Sequence, residues 1–190
     1  MSKTYIVDKD FQGIDFSKNE LTKGDYENCN FAKCSFANTD LSDISFSECE
    51  FENCDFSMAK ISNTAFRDVK FKTSKLLGLH FEDSNKFLLS MDFYSCQLNL
   101  SSFYKLILRN IRYKDCSLKE VDFTESDIQG AMFDNCDLAG TIFENTLLEK
   151  ADFRTSYNFS IDPEMNRIKK AKFSRDGVLG LLDKYNIEIE

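Results

Sequence analysis

The 190-residue chain carries 32 acidic and 24 basic side chains, a net charge of −8, and has no Trp and one Pro, which suits one compact domain. No apolar run approaches the eighteen or more residues of a membrane span, and Met1-Ser2-Lys3-Thr4 does not open a signal peptide. The seven cysteines are an odd number, which speaks against a disulfide scaffold; a soluble, cytoplasmic protein is expected.

From Ile6 a large apolar residue recurs at every fifth position, through Phe11, Phe16, Leu21 and Tyr26 and onward to Phe81. After one spacing of seven the beat resumes at Leu88 and runs through Phe93 and Leu98 to Phe153. A period of five fits neither the 3.6 of a helix nor the 2.0 of a strand. These anchors can all point inward only if the chain turns by a constant angle every five residues. Four such turns close a square, so about twenty residues make one coil of a β-solenoid. Sixteen of the nineteen Phe are anchors. Burying each contributes roughly 1.5–3 kcal/mol before entropy costs, and flat rings are expected to stack from coil to coil.

Two residues before each anchor lies a second inward position, which the tight corner keeps small: Cys29, Cys34, Thr39, Cys49, Cys54, Ala59 and Thr64, then Cys96, Ser101, Cys116, Ser126, Ala131 and Cys136. All seven cysteines occupy this slot. Zinc sites favour Cys pairs two to four residues apart, whereas Cys29/Cys34 and Cys49/Cys54 are five apart and lie on neighbouring sides. Core packing is the expectation, with no metal and no cofactor.

The beat breaks twice. Around 82–87 the extra residues are expected to bulge outward at Asp83-Ser84-Asn85-Lys86 as a tolerated turn insertion, the alternative being a partner-contacting bump. The repeat region is placed at 1–157 and a distinct tail at 158–190. Within the tail Ile168 and Phe173 keep the old phase. Ser174 can then cap a short helix with Val178, Leu181, Leu182 and Tyr185 at i, i+3, i+4 and i+7. Gly177 and Gly180 weaken such a helix, so it must pack against something. Ile187 and Ile189 alternate with Glu188 and Glu190 as a final strand would.

The stretches Ala151-Asp152-Phe153-Arg154-Thr155 and Cys136-Asp137-Leu138-Ala139-Gly140 resemble the pentapeptide-repeat family. The resemblance implies an all-β, right-handed quadrilateral β-helix of about seven and a half coils, with a short C-terminal capping and dimerisation helix. The Asp162-Pro163-Glu164-Met165-Asn166-Arg167-Ile168 turn and the tail beyond it resemble the ends of the gyrase-protecting group, which includes the Qnr quinolone-resistance and McbG microcin-immunity proteins. That likeness implies an end-to-end homodimer through Val178, Leu181, Leu182, Tyr185, Ile187 and Ile189. The alternative is a cap that covers the last coil of a monomer.

Charge is banded: residues 1–60 are net −6, 61–120 net +4 and 121–190 net −6. The basic waist excludes a uniform DNA-like rod. From Asp122 to Arg154 the acids Asp122, Glu125, Asp127, Asp134, Asp137, Glu144, Glu149 and Asp152 face only Lys150 and Arg154, so this band would total −12 in a tail-to-tail dimer. Such a surface can steer towards a basic DNA-binding groove, or simply keep the protein solvated. Lys70, Lys72 and Lys75 are expected on adjacent sides, which disfavours direct nucleic-acid binding. A triad would need His80, which points outward without an obvious partner, and no glycine-rich phosphate loop exists, so the protein is not expected to be an enzyme. The resemblance implies a non-catalytic DNA mimic that binds DNA gyrase or topoisomerase IV and protects it from quinolone- or microcin-type poisons. The alternative is a pentapeptide-repeat scaffold for another protein.

Overall fold

The turn every five residues is built into the backbone. In the computed structural model, which describes residues 4–188, the residue two after an anchor takes a left-handed conformation, as at Asn28 (φ 51°), Asn38 (φ 56°), Asn63 (φ 56°) and Asn145 (φ 52°). Asparagine and glycine enter that region at little cost, and Gly130 and Gly140 occupy the same corner position. Each corner redirects the chain, and four sides complete a coil.

Successive coils pair in parallel with a 20-residue register: Phe11 lies over Phe31, Phe31 over Phe51 and Phe51 over Phe71. Along the first side, β1 (Thr4–Val7), β3 (Gly24–Glu27), β5 (Ser45–Ser47) and β7 (Ala65–Arg67) stack in that order. The second side stacks β2 (Asp10–Gln12), β4 (Asn30–Ala32), β6 (Glu50–Glu52), β8 (Val69–Lys72), β9 (Met91–Tyr94), β10 (Arg112–Lys114) and β11 (Met132–Asp134). The third and fourth sides pair through single bridges such as Asp15↔Ser35 and Ser102↔Asp122. The result is an all-β parallel solenoid of about seven turns. At ~4.8 Å per turn it is a rod of roughly 34 Å. Among the described residues no helix is long and apolar enough to cross a membrane.

The expected ring ladder is present. Along the second side Phe11, Phe31, Phe51, Phe71, Phe93, Tyr113, Phe133, Phe153 and Phe173 stack with centroids 4.6–5.4 Å apart and planes within 15° of parallel. Rings from neighbouring sides meet this column edge-on, as Phe51 meets Phe56 at 5.0 Å and 85°. Both geometries suit the ring quadrupole, so each ring gains from its own side and from the next.

The small slot has a second reason to be Cys, Ser or Thr. Its side chain donates to the anchor carbonyl of the coil beneath: Cys54 Sγ to Phe31 O (3.3 Å), Thr64 Oγ1 to Leu41 O (2.8 Å), Ser156 Oγ to Phe133 O (2.7 Å). All seven cysteines are buried and free, in the packing role their slot implied.

Two expectations about the interruption need correction. Ser84 is buried and donates to Phe81 O at 2.6 Å, and Asn85 still bridges Ala65 at the 20-residue register. The register changes to 22 only at Val69↔Met91, so the two extra residues lie within 86–90. Leu88 is not an anchor: it sits at a corner with φ 56° and is 65% exposed, while half-buried Leu89 packs on the core. A spacing count alone cannot tell which residue of Phe87-Leu88-Leu89 turns inward.

The C-terminal capping helix is also corrected. Residues Gly177–Leu181 and Asp183–Tyr185 form two short 3-10 turns, and no strand includes Ile187; Ile189 lies outside the described residues. The N-cap of the first turn is Asp176 and not Ser174, whose Oγ nonetheless accepts Gly177 N–H at 2.9 Å. The Gly180 carbonyl, however, accepts Ile161 N–H (2.9 Å) instead of continuing a helix, and both glycines lie against Phe159. A Cβ on Gly180 would stand 2.2 Å from Phe159 O, so the close approach requires glycine there. Glycine's low helix propensity and this tertiary hydrogen bond together hold the segment in 3-10 form.

Candidate partner-binding surface

The coil register decides which charges meet. Of the acids from 122 to 152, Asp127 and Glu149 lie on the first side, Asp134 and Asp152 on the second, Asp137 on the third, and Asp122 and Glu144 on the fourth. Glu125 stands at the corner after the fourth side, with φ 56°. The acids therefore encircle the rod and do not gather on one face.

Five of the eight are ion-paired, mostly with cations from the coils above and below. Arg109 contacts Asp127 at 2.6 Å, Lys119 contacts Asp137 at 3.1 Å and Arg167 contacts Glu149 at 2.9 Å, each pair eighteen residues apart. Lys105 meets Glu125 at 3.3 Å; Asp152 takes Arg154 at 2.7 Å and Lys172 at 3.7 Å. Asp122 accepts Thr124 N–H at 2.8 Å, Asp134 accepts the Thr155 hydroxyl at 3.0 Å, and Glu144 is exposed. The Arg154 hydrogen bond holds the Asp152 carboxyl below the usual carboxylate range. At Asp137 burial pushes upward, but hydrogen bonds from Asn158 and Lys119 bring the net shift below that range. A linear count of charge, eight acids against two bases, misses these partners; the signal that finds them is an acid and a base eighteen or twenty residues apart.

The tail is fastened to the turn that precedes it. Asp162 Oδ1 accepts Glu164 N–H (2.8 Å), and Asn166, buried, donates to Phe143 O (2.8 Å) and Asp162 O (2.9 Å) while accepting Thr146 N–H (2.9 Å). Asn166 thus fills the small slot of the last coil and closes it. Lys184 reaches Asp162 (2.8 Å) and Glu164 (2.7 Å), and Tyr185 donates to Glu164 at 3.2 Å. The same hydrogen bonds from Lys184 hold both carboxyls below their usual range. Of the expected interface residues, Leu181 packs on the core, Leu182 is half-buried, and Val178, Tyr185 and Ile187 are exposed. Leu179 and Met165 are exposed at the same end and were not among those expected.

The waist also differs from expectation. Lys70 and Lys72 share the second side, one on each edge of Phe71, and Arg112 and Lys114 lie on that side two coils on; only Lys75 is on the next side. His80 has a partner, its Nδ1 lying 3.0 Å from Glu82 Oε1; the imidazole is exposed and the carboxylate half-buried. A cleft of about 620 Å³ lies open between the last coil and the tail, lined in part by Arg154, Tyr157, Asn158 and Asp176.

A family model described as a pentapeptide repeat region matches residues 19–87 and 85–153. Among solved structures the chain is similar to a trypsin-treated variant of QnrB1, a plasmid-mediated fluoroquinolone resistance protein, at 19% identity and TM-score 0.59, over 98% of this chain and 92% of that one. It is also similar to HetL, a pentapeptide repeat protein involved in heterocyst differentiation regulation from the cyanobacterium Nostoc sp. strain PCC 7120, at 15% identity and TM-score 0.49, over 89% and 86% of the two chains. No curated protein matches in sequence.

Proposed function

The chain belongs to the pentapeptide-repeat family, and from that premise we propose that it is a non-catalytic, dimeric protein that binds DNA gyrase or topoisomerase IV and protects it from a quinolone- or microcin-type poison. The observation that carries this reading is the end of the rod. The Asp162–Arg167 turn, the buried Asn166 plug and the glycine-bearing tail form one closed unit with Val178, Leu179, Tyr185 and Ile187 left facing outward. A second copy meeting that apolar end would lengthen the rod and place an acidic band on either side of the join. The likeness to a fluoroquinolone resistance protein over nearly the whole length of both chains lends support in shape.

A second reading, a scaffold for another protein, is favoured by the ion pairs. With five of eight carboxylates paired, the last coils project a weaker field than duplex DNA, whose phosphates carry one charge per about 1.7 Å of helix.

The test is supercoiling by purified gyrase with and without a fluoroquinolone, across a titration of this protein. Relief of poisoning that weakens at high salt, and on reversal of Asp122 and Asp134, is expected. No effect at micromolar protein leaves the scaffold reading. Sedimentation of wild-type against Tyr185→Asp tests the dimer separately.

A further inference from the structure

The side chains that fold formation least explains are concentrated in the middle of the rod. Five large apolar residues there are more than 60% exposed: Met58, Phe87, Leu88, Leu100 and Ile107. Four of them, all but Met58, fall in residues 61–120, the only third of the sequence with net positive charge. A solenoid corner accepts Asn, Asp or Gly most readily, yet Leu88 holds one at φ 56° with its side chain in water. Exposed apolar groups beside one sign of charge mark an interaction surface.

Phe87, Leu88 and Ile107 adjoin the second side, whereas Met58 and Leu100 stand at the opposite corner of the rod, between the third and fourth sides. On the first side Arg67 stands over the Phe87 ring at 5.8 Å, and Ile107 shares a small cleft of about 90 Å³ with Leu89–Asp92. Leu88 occupies the corner that leads to the second side. There Lys72, Tyr94 and Lys114 form one column, while Lys70 and Arg112 flank Asp92 in the other. Lys70, Arg112 and Lys114 are exposed and have no ion pair among the described residues; Lys72 is held by Glu50 at 2.6 Å.

We propose that this belt is a docking surface for an extended acidic protein segment that carries apolar side chains and crosses the rod along the strand direction. Alternate residues of such a segment are spaced by roughly 6.6 Å, the same as Lys70 and Lys72 on either edge of Phe71. Its carboxylates meet the second side, and its apolar groups meet Phe87, Leu88 and Ile107. The flanking acids select against larger polyanions. Glu50 and Glu52 lie one coil below the belt and Asp134 one coil above it. A lipid plane or a long nucleic acid laid along the rod would meet those acids together with the belt, whereas a segment crossing it would not.

The belt does not depend on the topoisomerase reading, and its test uses no topoisomerase. The full chain is titrated into a fluorescein-labelled dodecapeptide, Asp-Glu-Leu-Glu-Asp-Leu repeated twice, and anisotropy is followed at physiological and at 0.5 M salt. Saturable binding is expected. It should weaken at least tenfold in Arg112→Glu/Lys114→Glu, and several-fold in Phe87→Ser/Leu88→Asn even at 0.5 M salt. A peptide with Lys in place of every acid should not bind. Thermal midpoints verify folding, and Arg112→Gln/Lys114→Gln replaces the reversal if that variant does not fold. Absence of saturable binding at millimolar protein overturns the proposal, as does affinity indifferent to both sets of substitutions. Tighter binding to phosphatidylserine vesicles or to a deoxythymidine dodecamer also overturns it.

Discussion

Tyr113 stands next to the centre of the nine-ring column, stacked on Phe93 at 5.2 Å and on Phe133 at 5.1 Å, with its hydroxyl fully buried and without a hydrogen-bond partner among the described residues. Burial pushes its pKa well above the usual phenol value, so the group is a neutral, unsatisfied donor. Leaving such a group unpaired costs about 1–3 kcal/mol. Tyr113→Phe removes the hydroxyl and keeps the ring, so it should stabilise the protein by about 1 kcal/mol or more. For a chain of this size that raises Tm by roughly 2–4 °C. Tyr26 supplies the contrast. It is one side away and also buried, but its hydroxyl donates to Thr22 O at 2.7 Å. Tyr26→Phe should therefore destabilise by about 0.5–1.5 kcal/mol. Thermal and urea unfolding of the two variants give the sign directly. If Tyr113→Phe is as damaging as Tyr26→Phe, the hydroxyl has a partner, such as a buried water, and the reasoning fails.

Gly180→Ala places a Cβ 2.2 Å from Phe159 O, which is backbone and cannot swing aside, so it should loosen the tail and raise amide exchange at Ile161 N–H, which donates to Gly180 O. Arg109→Ala strips the ion pair from buried Asp127 and should lower the urea midpoint clearly more than Lys105→Ala, which removes an exposed pair. Burial pushes the Cys49 and Cys54 thiols up to about 12, so at pH 8 the thiolate fraction is on the order of 10⁻⁴ and a thiol reagent should label them only after unfolding. Asp162 and Glu164 have folded values below their unfolded ones, so the latch they form with Lys184 is fully present above about pH 4 and is lost as pH falls through the lowered values. Proteolysis of the tail should accelerate in that window, and at neutral pH in Lys184→Ala; a pH-independent rate counts against the latch.

The solenoid was legible because one five-residue period fixes every coil, and each anchor from Phe11 to Phe81 lies against the core as the beat requires. Periodicity fails where the fold makes an exception. The slip admits Phe87, Leu88 or Leu89 as the next inward residue on spacing alone, and packing chooses Leu89. The tail failed for a different reason: Val178, Leu181, Leu182 and Tyr185 do have helical spacing, but the Gly180 carbonyl is claimed by Ile161, nineteen residues back. Local propensity carries no record of a tertiary hydrogen bond. Of the candidate surface, the identity of the acids was readable and their neutralisation was not, because Arg109 and Asp127 are neighbours only after a full turn of the coil.

That last point bears on how a rod of this kind can carry a charge message. On a helix, charge pairing is local in sequence, at three or four residues, and a band of acids without nearby bases keeps its field. On a square solenoid each outward residue has close neighbours about twenty residues before and after it, so net charge per coil says little about field. A mimic of duplex DNA must keep its acids out of register with the bases of adjoining coils. In the last coils Arg109, Lys119, Lys105, Arg167 and Lys172 sit in register and draw the charge in. In the waist the acids in register are already engaged: Lys70 lies between Glu50, held by Lys72, and Asp92, which Tyr94 and the Arg112 backbone engage, while Lys114 lies between Tyr94 and Asp134, which accepts the Thr155 hydroxyl. Positive charge is therefore left outward where the apolar side chains are also outward. The selective pairing at one end and its lapse at the waist place the more distinctive recognition chemistry of this rod at its middle.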